Sequence, residues 1–157
     1  MYILNTLSQS RIYFYTLAED GAKVRGLANN LVIIDEAMLV DDDTYLSSIE
    51  PSTLATNGQI IAMLTPGTVK NYSYFLPQEI KTAPHVQNFL PQKTTKKAIQ
   101  EQTPPYSWLY YDPATNRSAY EITIEENPFP VPEKRHEIMS KRHLPHIRRE
   151  YFCEWVT

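Results

Sequence analysis

The sequence predicts an α/β fold organised around an open sheet, and three observations predict it. First, Leu31-Val32-Ile33-Ile34 is a continuous apolar run, mostly β-branched, preceded by loop residues 26–30. A run of that kind reads as a strand buried on both faces. Second, Gln59-Ile60-Ile61-Ala62-Met63-Leu64 repeats the pattern and ends at Thr65-Pro66-Gly67. Third, the residues between the two runs turn helical in character, so strand, helix and strand alternate as in an α/β sheet.

Each run delivers polar chemistry to its C-terminal end, where open α/β sheets bind their ligands. The first run passes directly into Asp35-Glu36. Two acids after a buried strand match the Walker B element of nucleoside triphosphatases. There the first carboxylate holds Mg²⁺ and the second orients or deprotonates the attacking water. The plainer account is a buried strand that ends in a solvated acidic turn. After the second run, Thr65 has the position to sense a γ-phosphate or the attacking water, and Pro66 fixes the exit of the chain. On spacing alone an ordinary turn explains Thr65-Pro66-Gly67 better.

Composition sets limits. The 157 residues suit one domain of common size, with 42% hydrophobic and 21% charged residues as in an ordinary globular protein. A net charge of −3 gives no global basic signal for nucleic acid. The single Cys153 excludes an internal disulfide within this chain and suits a reducing compartment. No apolar stretch approaches the length of a membrane span, and the polar N-terminus does not resemble a signal peptide. The four glycines, Gly21, Gly26, Gly58 and Gly67, are scattered singly, and none precedes Lys-Ser or Lys-Thr. A phosphate-cradling loop needs glycines close together so that backbone N–H groups can wrap the anion, so the chain has no Walker A loop.

The remaining elements follow in order. Residues 11–17 are rich in β-formers and predict a strand, and 18–23, with Asp20-Gly21, predict a turn. Arg25 before Gly26 fits a phosphate or DNA contact and, more simply, a surface residue ahead of a flexible glycine. Asp41-Asp42-Asp43 open a helix that runs to Glu50, with any of the three able to cap it. Pro51 ends that helix or begins a short one closed at Asn57-Gly58. Residues 72–80 predict a short helix or aromatic turn. Residues 81–105, with Pro84, Pro91, Pro104, Pro105 and the cluster around Lys93, Lys96 and Lys97, predict an exposed loop. Residues 107–111 and 118–124 predict a β-hairpin, and 133–142 and 145–156 predict helices begun by Pro132 and Pro145. Lys134, Lys141 and Arg148 are spaced by seven, as are Arg135, Arg142 and Arg149, which suggests a phosphate-facing stripe that Pro145 interrupts.

In their order, these features resemble the ATPase domain of the large terminase subunit of tailed phages and related viruses. The resemblance is carried by Arg11-Ile12-Tyr13-Phe14, Val24-Arg25-Gly26-Leu27, and the run from Leu31 through Asp35-Glu36-Ala37. It continues with Leu54-Ala55-Thr56-Asn57-Gly58, the run from Ile60 to Gly67, Ser107-Trp108, Glu126-Asn127-Pro128 and the closing Arg149-Glu150-Tyr151-Phe152-Cys153-Glu154-Trp155. It implies that Asp35 coordinates Mg²⁺, Glu36 activates water, and Thr65 and Pro66 form the motif that couples hydrolysis to movement on DNA. With Arg25, Thr65 and Pro66 are the residues it would bring toward ATP. The implied fold is partial RecA-like: a largely parallel sheet of the additional-strand P-loop class, with flanking helices and a C-terminal helical segment.

The departures shape the functional expectation. The family's Walker A loop lies upstream of the residues matching Arg11, and its nuclease domain lies beyond those matching Trp155. The chain is therefore expected to be the second half of an ATPase domain, inactive alone. Residues 1–80 would carry the Walker B and coupling half, 81–105 the Pro/Lys-rich loop, and 106–157 the hairpin and helices leading to the interdomain junction. Implied ligands are Mg²⁺ and ATP. Implied partners are the missing N-terminal ATPase half, the nuclease domain, double-stranded DNA, the portal protein, the small terminase subunit and copies of the motor in a ring. The implied setting is the cytoplasm of an infected or lysogenic cell, transiently on a procapsid. A rival expectation is a non-catalytic prophage remnant or interaction module; another ATPase, such as a helicase, fits Asp35, Glu36 and Thr65 but accounts less well for Arg25-Gly26 and the C-terminal segment.

Overall fold

A computed structural model describes residues 2–16, 24–89, 109–125, 127 and 129–156. The expected turn at 18–23, the lysines at 93–97, Ser107-Trp108, Glu126 and Pro128 lie outside the described residues. The protein is mixed α/β, with small sheets and several helices in two compact units, Met1–Met63 and Leu64–Thr157.

In the first unit, β1 (Tyr2–Leu4) pairs antiparallel with β2 (Arg11–Tyr13), Ile3 opposite Ile12. No local sequence signal marks β1, and β2 is shorter than the predicted 11–17 because the ladder stops at Tyr13. β3 (Leu31–Ile34) and β4 (Gln59–Ala62) pair in parallel, from Leu31 opposite Gln59 to Ile34 opposite Ala62. This is the only parallel pairing among the described residues, so a largely parallel sheet is not what they display.

The pair is also not buried on both faces, as its sequence had suggested. Ile34 is 3% exposed, whereas Leu31 is 50%, Ile33 59% and Ile61 46% exposed. Residues on a strand alternate between faces, which separates buried Ile34 from exposed Leu31 and Ile33. The covered side faces the unit's interior, where Ile34, Ala37, Val40, Tyr45 and Ile49 are buried.

The crossover between β3 and β4 is helical. Asp41 caps it, its Oδ1 accepting from the Thr44 amide at 2.7 Å and its Oδ2 from the Thr44 hydroxyl at 2.9 Å. That donor holds the Asp41 carboxyl below the usual carboxylate range. A first turn, α1 (Asp42–Thr44), widens into a π-type turn over Tyr45–Ile49 and continues as α2 (Glu50–Leu54). Pro51 supplies the reason: it has no N–H to donate and its ring crowds the carbonyl four residues back. Widening the preceding turn, with the Glu50 amide bonded to the Tyr45 carbonyl, carries the helix past it. Pro51 thus begins the second helical piece.

α2 leads back to β4 through a knot at Asn29 and Gly58. The Asn29 amide donates to the Ser52 carbonyl at 2.8 Å and its side-chain amide to the Ser52 hydroxyl at 3.1 Å. The Thr56 hydroxyl donates to the Asn29 carbonyl, and the Gly58 amide to the Thr53 carbonyl at 2.9 Å. A β-carbon on Gly58 would lie 2.3 Å from the Asn29 carbonyl oxygen and 2.9 Å from that of Asn30. Glycine is required there by close backbone approach.

In the second unit, α3 (Tyr72–Thr82) is capped by Asn71, which accepts from the Ser73 amide at 3.1 Å, and it packs on an antiparallel sheet. The sheet runs β5 (Gln87–Phe89), β6 (Leu109–Asp112), β7 (Arg117–Tyr120). β6 and β7 form the expected hairpin, closed by Asp112, which accepts from the Ala114 amide at 3.0 Å and the Thr115 hydroxyl at 2.6 Å. β5 corrects the expectation of a loop over 81–105. Its short polar sequence, Gln87-Asn88-Phe89, lacks strand periodicity and is recruited by pairing with β6. α4 (Pro132–Ser140) and α5 (Pro145–Phe152) begin at the prolines and enclose a core of Ile124, Ile147 and Phe152, with Ile138, Met139 and Leu144 against it. No described helix is long and apolar enough to cross a membrane.

Gly58→Ala is expected to destabilise the first unit by about 1–3 kcal/mol, because backbone carbonyls rather than flexible side chains must move. Chemical denaturation compared with Ala55→Gly, an exposed change in the same loop, measures it.

Candidate functional site

The strand ends place the candidate acids. β4 extends its hydrogen bonding past Ala62: the Met63 amide donates to the Ile34 carbonyl, and the Met63 carbonyl accepts from the Ala37 amide, both at 2.9 Å. Between those two clamps lie Asp35 and Glu36, both exposed. The chain must turn within two residues to return the Ala37 amide to Met63. Glu36 absorbs that turn with φ 49° and ψ 48°, the left-handed region. The Asp35 Oδ1 accepts from the Glu36 amide at 3.1 Å and braces the turn.

This conformation costs a residue with a β-carbon roughly 1–2 kcal/mol, and glutamate lacks the local hydrogen bonding that lets asparagine or aspartate adopt it. The turn is therefore strained at the second acid of the pair. Ala37, fully buried, anchors the short helical turn that follows.

The other candidate residues sit elsewhere. Arg25 donates from Nε to the Ser48 hydroxyl at 3.0 Å and from a terminal nitrogen to the Ser47 hydroxyl at 2.8 Å. Its guanidinium is thus tied to the π-type turn of the crossover. Thr65, half-buried, and Pro66, buried, lie in the extended entry to the second unit, before α3. The structure brings Asp35 and Glu36 together at one strand end, fastens Arg25 to the two serines, and assigns Thr65 and Pro66 to the second unit.

Among the described residues, no group of three His, Cys, Asp or Glu side chains is arranged to hold a metal ion. The acids at the end of β3 offer two carboxylates instead. That donor set fits Mg²⁺, which keeps several waters and takes one or two carboxylates together with substrate phosphates.

The C-terminal cations are committed to internal partners. Lys134 and Lys141 each lie 2.8 Å from a Glu137 oxygen and pull that carboxyl down to about 2. Arg135 donates to the Glu125 carbonyl at 3.2 Å and to that of Asn127. Arg142 pairs with Glu125 and Glu154 and lies 4.2 Å over the Phe152 ring. Arg148 donates from Nε to Glu154 at 2.6 Å, and Arg149 to the Val156 carbonyl at 3.5 Å. Lys134 and Lys141 thus pair at α4, Arg148 and Arg149 pair within the C-terminal segment, and Arg142, in the turn between α4 and α5, ties Glu125 to Glu154. Sequence spacing located the cations but not the acids between them; Glu137, three residues after Lys134 and four before Lys141, was the available signal.

No protein-family model, curated protein or solved structure matches the chain. The class that fold and site define is a mixed α/β protein with an acidic, strained strand-to-helix turn on a parallel strand pair.

Hydrogen bonding to Arg148, then to Arg142, holds the Glu154 carboxyl below its ordinary 4.5. A depressed carboxylate stabilises the fold above its unfolded value and loses that contribution as pH falls through the folded one. Thermal stability of the second unit is therefore expected to drop on acidification below about pH 4.5. Glu154→Gln, costing on the order of 1 kcal/mol at neutral pH, should flatten that part of the profile. An unchanged acid limb in the variant would show that Glu154 does not carry it.

Proposed function

We propose that the chain is the Walker B and coupling portion of a terminase-type DNA-packaging ATPase, with a partial RecA-like core. The observation that carries this reading is the turn after β3: two adjacent exposed carboxylates at a parallel strand end, the second held in a left-handed conformation. Strain of this kind persists where its surroundings enforce it, and such positions cluster at functional sites. The order of Arg25-Gly26, Asp35-Glu36 and Thr65-Pro66-Gly67 along the chain supports the same reading.

Each residue then has a role. Asp35 would hold Mg²⁺, and the ion would supply charge neutralisation for the nucleotide's phosphates. Glu36 orients the attacking water and accepts its proton. Thr65 and Pro66, leaving β4, transmit hydrolysis to movement on double-stranded DNA. Arg25 buttresses the crossover helix through Ser47 and Ser48. The 157 residues carry no glycine-rich phosphate cradle, so on this reading they neither bind ATP tightly nor hydrolyse it by themselves. Nuclease domain, portal protein, small subunit and ring assembly belong to the complete motor in the cytoplasm of an infected or lysogenic cell.

A second reading, a non-catalytic interaction module, is favoured by the apolar sheet face in the first unit and the internally paired cations of the second. Two substitutions separate the readings. In a motor completed with a Walker A segment, Glu36→Gln is expected to cut ATP turnover by on the order of 10²–10⁴-fold while ATP binding persists. Unchanged turnover would remove the catalytic role. Glu36→Asn should raise the stability of the isolated chain by about 1 kcal/mol, because asparagine adopts the left-handed conformation more readily. A stable and fully active Asn variant would leave the strain without a function.

A further inference from the structure

We propose that the exposed face of the β3–β4 pair is a docking surface for a basic amphipathic helix of a partner protein. This does not rest on the ATPase reading; it follows from the sheet and its charge.

The parallel register sets Ile33 opposite Ile61, and opposed residues of a sheet share a face. On that face Leu31 is 50%, Ile33 59%, Ile61 46% and Met63 48% exposed, while Ile34 on the opposite face is 3% exposed. Parallel sheets in stable proteins are covered on both faces, almost always by helices. The largely apolar patch on one side of this parallel pair, with exposed Gln59 beside Leu31 at its N-terminal edge, is therefore an incomplete layer, and an amphipathic helix is the element that completes it. Strands of four residues rise about 13 Å, which an apolar stripe over roughly nine helical residues spans.

Charge selects the sign of the partner. Residues 1–63 carry eight Asp and Glu against three Lys and Arg, net −5, whereas residues 64–157 carry ten against twelve, net +2; together these make the −3 of the chain. Of the described acids in the first unit, Asp35, Glu36, Asp41, Asp42 and Asp43 are exposed, and the first two stand at the C-terminal end of this strand pair. Of the cations, Arg25 has its guanidinium on Ser47 and Ser48. Pairing of this face with the same face of a second copy would bring together two units of net −5, so like charge opposes it. An anionic membrane surface is opposed in the same way. A helix with Lys or Arg flanking its apolar stripe satisfies both the face and its acidic end.

The test uses the full 157-residue chain and two labelled amphipathic peptides of about 18 residues, one Leu/Lys and one Leu/Glu in the same pattern, with binding read by fluorescence anisotropy. The Leu/Lys peptide is expected to bind at least about tenfold more tightly than the Leu/Glu peptide, and to weaken as salt rises. Ile33→Thr with Ile61→Thr, which keeps β-propensity, should lower its affinity by about tenfold or more. Leu31→Gln with Met63→Gln repeats the test on the same face should the first pair lose its fold by circular dichroism. Equal binding of the two peptides, or no loss in a folded face variant, would overturn the proposal. So would a dimer of the free chain in sedimentation that the face variants convert to monomer, because the face would then belong to a second copy.

Discussion

Two backbone hydrogen bonds hold the first unit's architecture in place: Met63 amide to Ile34 carbonyl, and Ala37 amide to Met63 carbonyl. They extend a four-residue parallel ladder by one step and, in doing so, fix where the chain leaves β3. Because the second bond reaches back across the turn, Asp35 and Glu36 are held between two anchored points, and Glu36 takes a conformation that its side chain does not favour. Buried Ala37 and Ile34 flank the turn and resist its relaxation. The strain at the acids is thus a consequence of pairing and burial on either side of them. A freely solvated acidic turn would have no reason to keep it.

The same ladder explains why the sheet is unequal on its two sides. The crossover through α1, the π-type turn and α2 covers one face, and Asn29, Thr56 and Gly58 lock its return to β4. On the other face Leu31, Ile33, Ile61 and Met63 remain roughly half exposed. At about 25 cal/mol per Å² of apolar surface, an open patch of this kind leaves a favourable free energy unrealised until something covers it.

What the sequence disclosed follows from how local each cause was. The apolar runs at 31–34 and 59–62, the Asp41 cap, the hairpin at Asp112 and the proline-initiated helices α4 and α5 all rest on nearby residues, and all are present. The strand runs were nevertheless misread as doubly buried, because an apolar run reports what a strand tolerates, and coverage depends on layers that other segments supply. β1 and β5 exist by pairing with β2 and β6, a non-local cause that three-residue segments cannot announce. At the site, the two acids were legible as neighbours in sequence. The left-handed turn at Glu36 was not, because it arises from the Met63 clamp 26–27 residues away. Arg25 was readable as a cation but not as a ligand of Ser47 and Ser48, for the same reason.

The electrostatics of the two units connect the proposed site to the proposed surface. With eight acids against three cations in residues 1–63, and Asp35 and Glu36 exposed at the strand end, a polyphosphate approaching the turn meets repulsion from this unit's own charge. Within the second unit, the cations of α4 and α5 and of the turn between them pair with Glu125, Glu137, Glu154 and backbone carbonyls. An anionic ligand can be held here only if positive charge arrives with it, as a divalent ion on the carboxylates or as basic residues of another polypeptide. A basic helix on the sheet face would bring such charge beside the acids and cover the apolar patch in the same event. Binding of partner and binding of anion would then be coupled through one charge term, each favouring the other. The acidity of the first unit is in that sense a requirement for association.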